Sequence, residues 1–139
     1  MSVHKYFSIE EMCHSDTAIA QGITNKPTQP IIDSLDALIE HVLDPLREAY
    51  GQPIIVSSGY RCKRLNKAVG GVSNSQHLIG EAADISVRPK GDKKGNKVLF
   101  EYIRKNLPYD QLIWENGGVW VHVSYRKQNR HQCFSATKK

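Results

Sequence analysis

The stretch Gln111-Leu112-Ile113-Trp114-Glu115-Asn116-Gly117-Gly118-Val119-Trp120-Val121-His122-Val123-Ser124-Tyr125 reads as two strands hinged on Asn-Gly-Gly, residues that accept the positive φ angles a tight reversal needs. In its second half, period-two alternation puts Val119, Val121, Val123 and Tyr125 on one face and Trp120, His122 and Ser124 on the other. With Gly117-Gly118 as a two-residue turn, Glu115 pairs with Trp120 and shares the His122 face, about 7 Å along the strands from His122 at roughly 3.4 Å per residue. Using Asn116-Gly117 as the turn keeps the face and roughly doubles the offset. The run Ala82-Ala83-Asp84-Ile85-Ser86-Val87 sorts in the same way, with Asp84 between small residues on one face and Ala83, Ile85 and Val87 on the other. A β-branched run at 53–58 adds a further strand.

Upstream the pattern is helical. Ser8-Ile9-Glu10-Glu11 is a capping box, Ser15-Asp16-Thr17 resembles a second start, and residues 22–30 read as loop. Ile31, Ile32, Leu35, Leu38, Ile39, Val42, Leu43 and Leu46 then form one apolar stripe, with Pro30 near its start and Gly51 as stop. Pro45 predicts a kink or a split last turn, and His41 beside the stripe reads as an ordinary half-buried histidine. Residues 61–69 fit one or two helical turns and 88–95 an exposed basic loop. Residues 96–106 fit a helix with Val98, Leu99, Tyr102 and Ile103 inward. Helices followed by strands predict an α+β domain: a small, mostly antiparallel sheet with helices packed on one side.

The 139 residues suit a single domain, large enough to bury roughly 68% of its unfolded surface. Nineteen Lys and Arg against 14 Asp and Glu give a net charge of +5, which favours an anionic partner without choosing one. Nucleic acid is not the expected partner, because no basic helix is interleaved with aromatics. Residues 126–139, with Arg126, Lys127, Arg130, Lys138 and Lys139 and no acid, read as a solvated basic tail. Cys13, Cys62 and Cys133 are odd in number and form no C-x-x-C, so free thiols are expected. Residues 1–7 lack the apolar core of a signal peptide, and no run approaches the roughly 18 apolar residues of a membrane span. The expectation is a monomer without membrane association, cytoplasmic as synthesised.

Ser75-Gln76-His77-Leu78-Ile79-Gly80-Glu81-Ala82-Ala83-Asp84, taken with His122, supplies two imidazoles and a carboxylate, all of them ligand types for Zn²⁺. No fourth protein ligand is apparent. Three such ligands with one open position are the arrangement of a catalytic rather than a structural zinc, so these residues point to a hydrolase holding one ion. Mn²⁺ or Co²⁺ could occupy the same set, since ligand type alone does not fix the metal. Gly80 permits the turn that brings His77 and Asp84 together from opposite ends of the segment.

Ser58-Gly59-Tyr60-Arg61, then S-x-H-x-x-G-x-A-x-D from Ser75, then W-x-H ending at His122, resemble in order and separation the M15 metallopeptidases of peptidoglycan, over about residues 7–126. The resemblance implies the fold shared by D-Ala-D-Ala peptidases and the hedgehog signalling domain. It also implies a peptidoglycan stem peptide as substrate and action at the cell wall after release, a phage-type lysin route being one possibility. The activity implied is that of a D-Ala-D-Ala carboxypeptidase or of an L-alanyl-D-glutamate endolysin. His77, Asp84 and His122 would hold the zinc, and Arg61 would grip the substrate carboxylate through its fork of donors. Ser75 and Gln76 would donate hydrogen bonds to the peptide or the ligand shell, and Trp120 would either wall the pocket or sit in the core. Several members place an acid or a histidine two or three positions before the last zinc histidine, where this chain has Trp120 and Val119. Glu115 is therefore the expected general base. The alternative function is a catalytically silent binding module of the same fold, recognising peptidoglycan or a partner protein.

Overall fold

The computed structural model describes residues 4–137. The terminal lysines Lys138 and Lys139 of the expected basic tail lie outside them. Two short helices open the chain, α1 (Ile9–Cys13) and α2 (Asp16–Gln21). Ser8 Oγ accepts from Glu11 N and Ser15 Oγ from Ala18 N, so both serines cap the helices they precede. The long stripe becomes α3 (Gln29–Leu38), a π-helical turn at Ile39–Leu43 and α4 (Asp44–Tyr50). Asp44 N donates to Ile39 O, five residues back, and this extra residue places Pro45 in the first turn of α4, where its missing N–H costs nothing. Leu35, Leu38, Ile39, Val42, Leu43 and Leu46 are all fully buried.

The sheet has the order β1-β2-β4-β3-β5, formed by β1 (Ile54–Ser58), β2 (Ala82–Val87), β3 (Gln111–Glu115), β4 (Trp120–Ser124) and β5 (Gln132–Ala136). All pairings are antiparallel except β3 with β5, which run parallel. The architecture is α+β as the residue pattern predicts. One face of the sheet carries Ala83, Ile85, Val87, Leu112, Val121 and Val123 into a core shared with Leu99 and Ile103 of α6 (Lys93–Asn106) and with the long stripe. The opposite face is left for the polar residues.

Three expectations change. The first is α6, which begins at Lys93, inside the expected loop, while Val98 is 53% exposed rather than inward. The early turn carries Asn96, whose buried side chain accepts from Val87 N and donates to Gly118 O and Val119 O, tying helix, strand and hairpin together. The second is the hairpin: Glu115 pairs with Trp120 and Ile113 with His122, as the Gly-Gly register requires, but the connection is a helical turn with positive φ at Asn116, Gly117 and Gly118. Val119 consequently leaves the strand. The third is the basic tail, from which β5 emerges, and Gln132 N donates to Asp110 O as that strand joins β3. Its charges conceal an edge strand, because alternation is short there and the residues stay exposed.

Candidate metal centre

Asp84 and His122 are direct cross-strand partners in the β2–β4 register, on the face turned from the core. Their side chains meet there, with His122 Nδ1 3.0 Å from Asp84 Oδ1. His77 arrives from above in a 3₁₀ turn (Gln76–Ile79), capped by Ser75 Oγ accepting from His77 N at 3.1 Å. Gly80 ends the turn at φ 75°, and a Cβ there would stand 2.8 Å from Ile31 O. Only glycine fits both demands. Gly59 lets the chain pass Met12, whose carbonyl would lie 2.1 Å from an added Cβ, and Gly59 O in turn faces His77 Nδ1 at 2.6 Å.

That contact fixes the tautomer. A carbonyl only accepts, so Nδ1 carries the proton and donates, and the Nε2 lone pair is turned toward Asp84 Oδ1 at 3.4 Å. Burial pushes the His77 imidazole below its ordinary pKa despite the pull of Asp84, which keeps the ring neutral near pH 7. Burial alone would raise the Asp84 carboxyl, but the His122 imidazole beside it, Nδ1 3.0 Å from Oδ1, opposes that, and the carboxyl lies below the usual carboxylate range. A lone pair and a carboxylate facing each other are two acceptors in want of a cation. The ligand atoms of His77, Asp84 and His122 all lie within 4.8 Å of one another, so this trio has the donor set and the spacing to hold one divalent ion.

The trio opens on a cavity of about 430 Å³ that is also lined by Arg61, Ser75, Gln76 and Glu115. Glu115 is 7% exposed, on the same sheet face as His122 and two residues along from its level. Arg61 is equally buried, its Nη2 donating to Ser75 Oγ at 3.3 Å while Nε has no hydrogen-bond partner. Burial lowers the Arg61 pKa from its ordinary value while Asp84 opposes that change, so the guanidinium sits where an incoming anion would be welcome. Ser75 Oγ is engaged by His77 N and by Arg61.

Two of the expected site residues are placed differently from the others. Gln76 spends its amide N–H groups on Glu81 Oε1 at 3.0 Å and Asp110 Oδ2 at 2.9 Å, so it offers no donor to a peptide, and its Oε1 is buried without a partner. Trp120, which pairs with Glu115 at the hairpin end, is not among the lining residues. Residues missed from sequence complete the wall. Gln111 and Ile113 share the Glu115 face by the same alternation that located Glu115, whereas Arg130 and Ala136 come from the segment read as a tail.

The model of the family described as Peptidase M15 matches residues 5–124. This chain belongs to the M15 peptidases. A 50-residue segment, 35% of the chain, is 44% identical to the zinc D-Ala-D-Ala carboxypeptidase of Streptomyces albus G, and it covers 20% of that relative's length. No helix among the described residues is long and apolar enough to cross a membrane.

Proposed function

We propose that this M15 protein is a zinc-dependent peptidase that hydrolyses peptidoglycan stem peptides, as a D-alanyl-D-alanine carboxypeptidase or an L-Ala-D-Glu endopeptidase of endolysin type. His77, Asp84 and His122 would hold a single Zn²⁺. Bound there, the ion supplies Lewis acidity toward a peptide carbonyl and makes water a nucleophile near neutral pH. The observation that carries the reading is that the three ligand-type side chains and a buried carboxylate, Glu115, share one cavity.

Each residue then has a defined task. Gly59 O orients the His77 imidazole, so its Nε2 needs little reorganisation to take a ligand's place. Glu115 takes the proton of the attacking water and returns it to the leaving amine. Arg61, buried with an unpartnered Nε, receives a carboxylate of the stem peptide. The S. albus relative's name specifies D-Ala-D-Ala, and a terminal carboxylate on Arg61 would suit that substrate. A silent binding module has no need of a carboxylate buried in the metal cavity.

Zinc-loaded protein and its Glu115→Gln variant should be incubated with purified muropeptides and the products weighed by mass spectrometry. The expected result is loss of terminal D-Ala or cleavage after L-Ala by the wild type. The variant should keep its zinc and turn over at least about 10²-fold more slowly, the low end of what a positioned general base supplies. Equal rates for the two proteins would remove Glu115 from the mechanism.

A further inference from the structure

Asp110 is fully buried just before β3, and the proposed chemistry makes no use of it. Its carboxylate accepts from Gln76 Nε2 at 2.9 Å, from Arg130 N at 2.8 Å, and from Arg130 Nε and Nη2 at 3.0 and 2.7 Å. Glu81 repeats the pattern on the other side of the same amide, its Oε1 accepting from Gln76 Nε2 at 3.0 Å and from Arg126 Nη2 at 3.3 Å. The Gln76 side chain is thus held between two carboxylates, each backed by an arginine of the segment 126–130. Gln76 is the residue immediately before His77, in the turn that delivers the imidazole. The family match ends at residue 124, so both arginines lie beyond it.

We propose that the segment 126–130 is a positioning strap, which acts through Asp110, Glu81 and Gln76 to fix the turn bearing His77 and so sets how firmly the centre holds its metal. The inference rests on the reading of His77 as a zinc ligand. The physical reason is chain length. A 3₁₀ turn of four residues has few hydrogen bonds of its own, whereas a side chain anchored at both amide hydrogens removes its remaining freedom. A bidentate arginine makes that anchor stiff, because its fork matches a carboxylate in one orientation. None of these groups needs to touch substrate to do this.

The test compares wild type with Gln76→Leu, Asp110→Asn, Arg130→Ala and Arg130→Lys. The readouts are zinc affinity by chelator competition, the visible spectrum of the Co²⁺ form, and the melting temperature of metal-free protein. Gln76→Leu cuts the link and leaves the Asp110–Arg130 pair whole, so it serves even where Asp110→Asn fails to fold. Zinc affinity should fall about 10–100-fold in Gln76→Leu, Asp110→Asn and Arg130→Ala, the usual effect of losing outer-shell support, with a changed Co²⁺ band. Arg130→Lys, which restores charge without the fork, should recover only part. Wild-type affinity and an unchanged Co²⁺ spectrum in all the variants, even with lower melting temperatures, would overturn the strap. Failure of the wild type to bind metal would instead overturn the zinc reading. The strap would then be decided by amide exchange in metal-free protein, where residues 76–81 should exchange faster in Arg130→Ala, and unchanged exchange would end it.

Discussion

The two walls of the cavity are built differently. On the sheet side, Asp84, His122 and Glu115 project from β2, β4 and β3, and their mutual positions follow from register: Asp84 opposite His122, Glu115 opposite Trp120. On the loop side, Arg61, Ser75, Gln76 and His77 sit on irregular backbone, located by contacts such as His77 with Gly59 O and Gln76 with Asp110. A sheet positions side chains through a ladder that repeats every two residues, so one local error is absorbed by its neighbours. A loop has no such redundancy. Each of its groups depends on a few long-range hydrogen bonds, and the sheet wall should therefore carry chemistry while the loop wall carries tuning and affinity.

The largest effect should come from the sheet wall. His122→Ala removes a proposed ligand from a rigid ladder that cannot offer a replacement, so metal analysis of the purified variant should find zinc near background against one ion per chain in the wild type. Zinc content equal to that of the wild type would take His122 out of the centre. A smaller effect belongs to Arg61→Lys, which keeps the charge but loses the fork. KM should rise about tenfold, the low end for a hydrogen bond to a charged group, with zinc content unchanged. Unaltered KM would show that the substrate carboxylate goes elsewhere and that the loop wall contributes less than proposed. The smallest effect on chemistry should come from Gly80→Ala, which forces a side chain into φ 75° against Ile31 O. Its cost should be about 1–3 kcal/mol of stability, read from denaturant melts, with zinc still bound. A variant as stable as wild type would mean that the turn relaxes freely and that the contrast between the walls is overstated.

The same contrast governs what could be read in advance. Alternation puts Asp84 and His122 on the polar face of their own strands, and the Gly-Gly register gives the Glu115–Trp120 pairing, although the connection is a helical turn. Gln111 and Ile113 were equally readable by that rule. Trp120 shares their face and pairs with Glu115, yet the cavity lining includes Glu115 and not Trp120. Gln76 lines the cavity, and its amide donors go to Glu81 and Asp110, residues 5 and 34 positions away, a pairing no local pattern announces. Helical spacing predicts Val98 inward, but the register of α6 over the sheet leaves it exposed.

By itself the sequence determined the α+β class, the sheet faces, the capped helices and the ligand-type trio, since each depends on periodicities and spacings written within a few residues. It also determined where the backbone had to turn sharply, at Gly80 and in Asn116-Gly117-Gly118. Only the tertiary structure decided that residues 132–136 become an edge strand, that Arg130 closes on the buried Asp110, and that the π-helical turn makes room for Pro45. A lone basic segment has no internal pattern that distinguishes a solvated tail from a strand. The free energy that orders it comes from partners tens of residues away, the backbone of β3 and the Asp110 carboxylate, and so becomes visible only when the chain has folded around them.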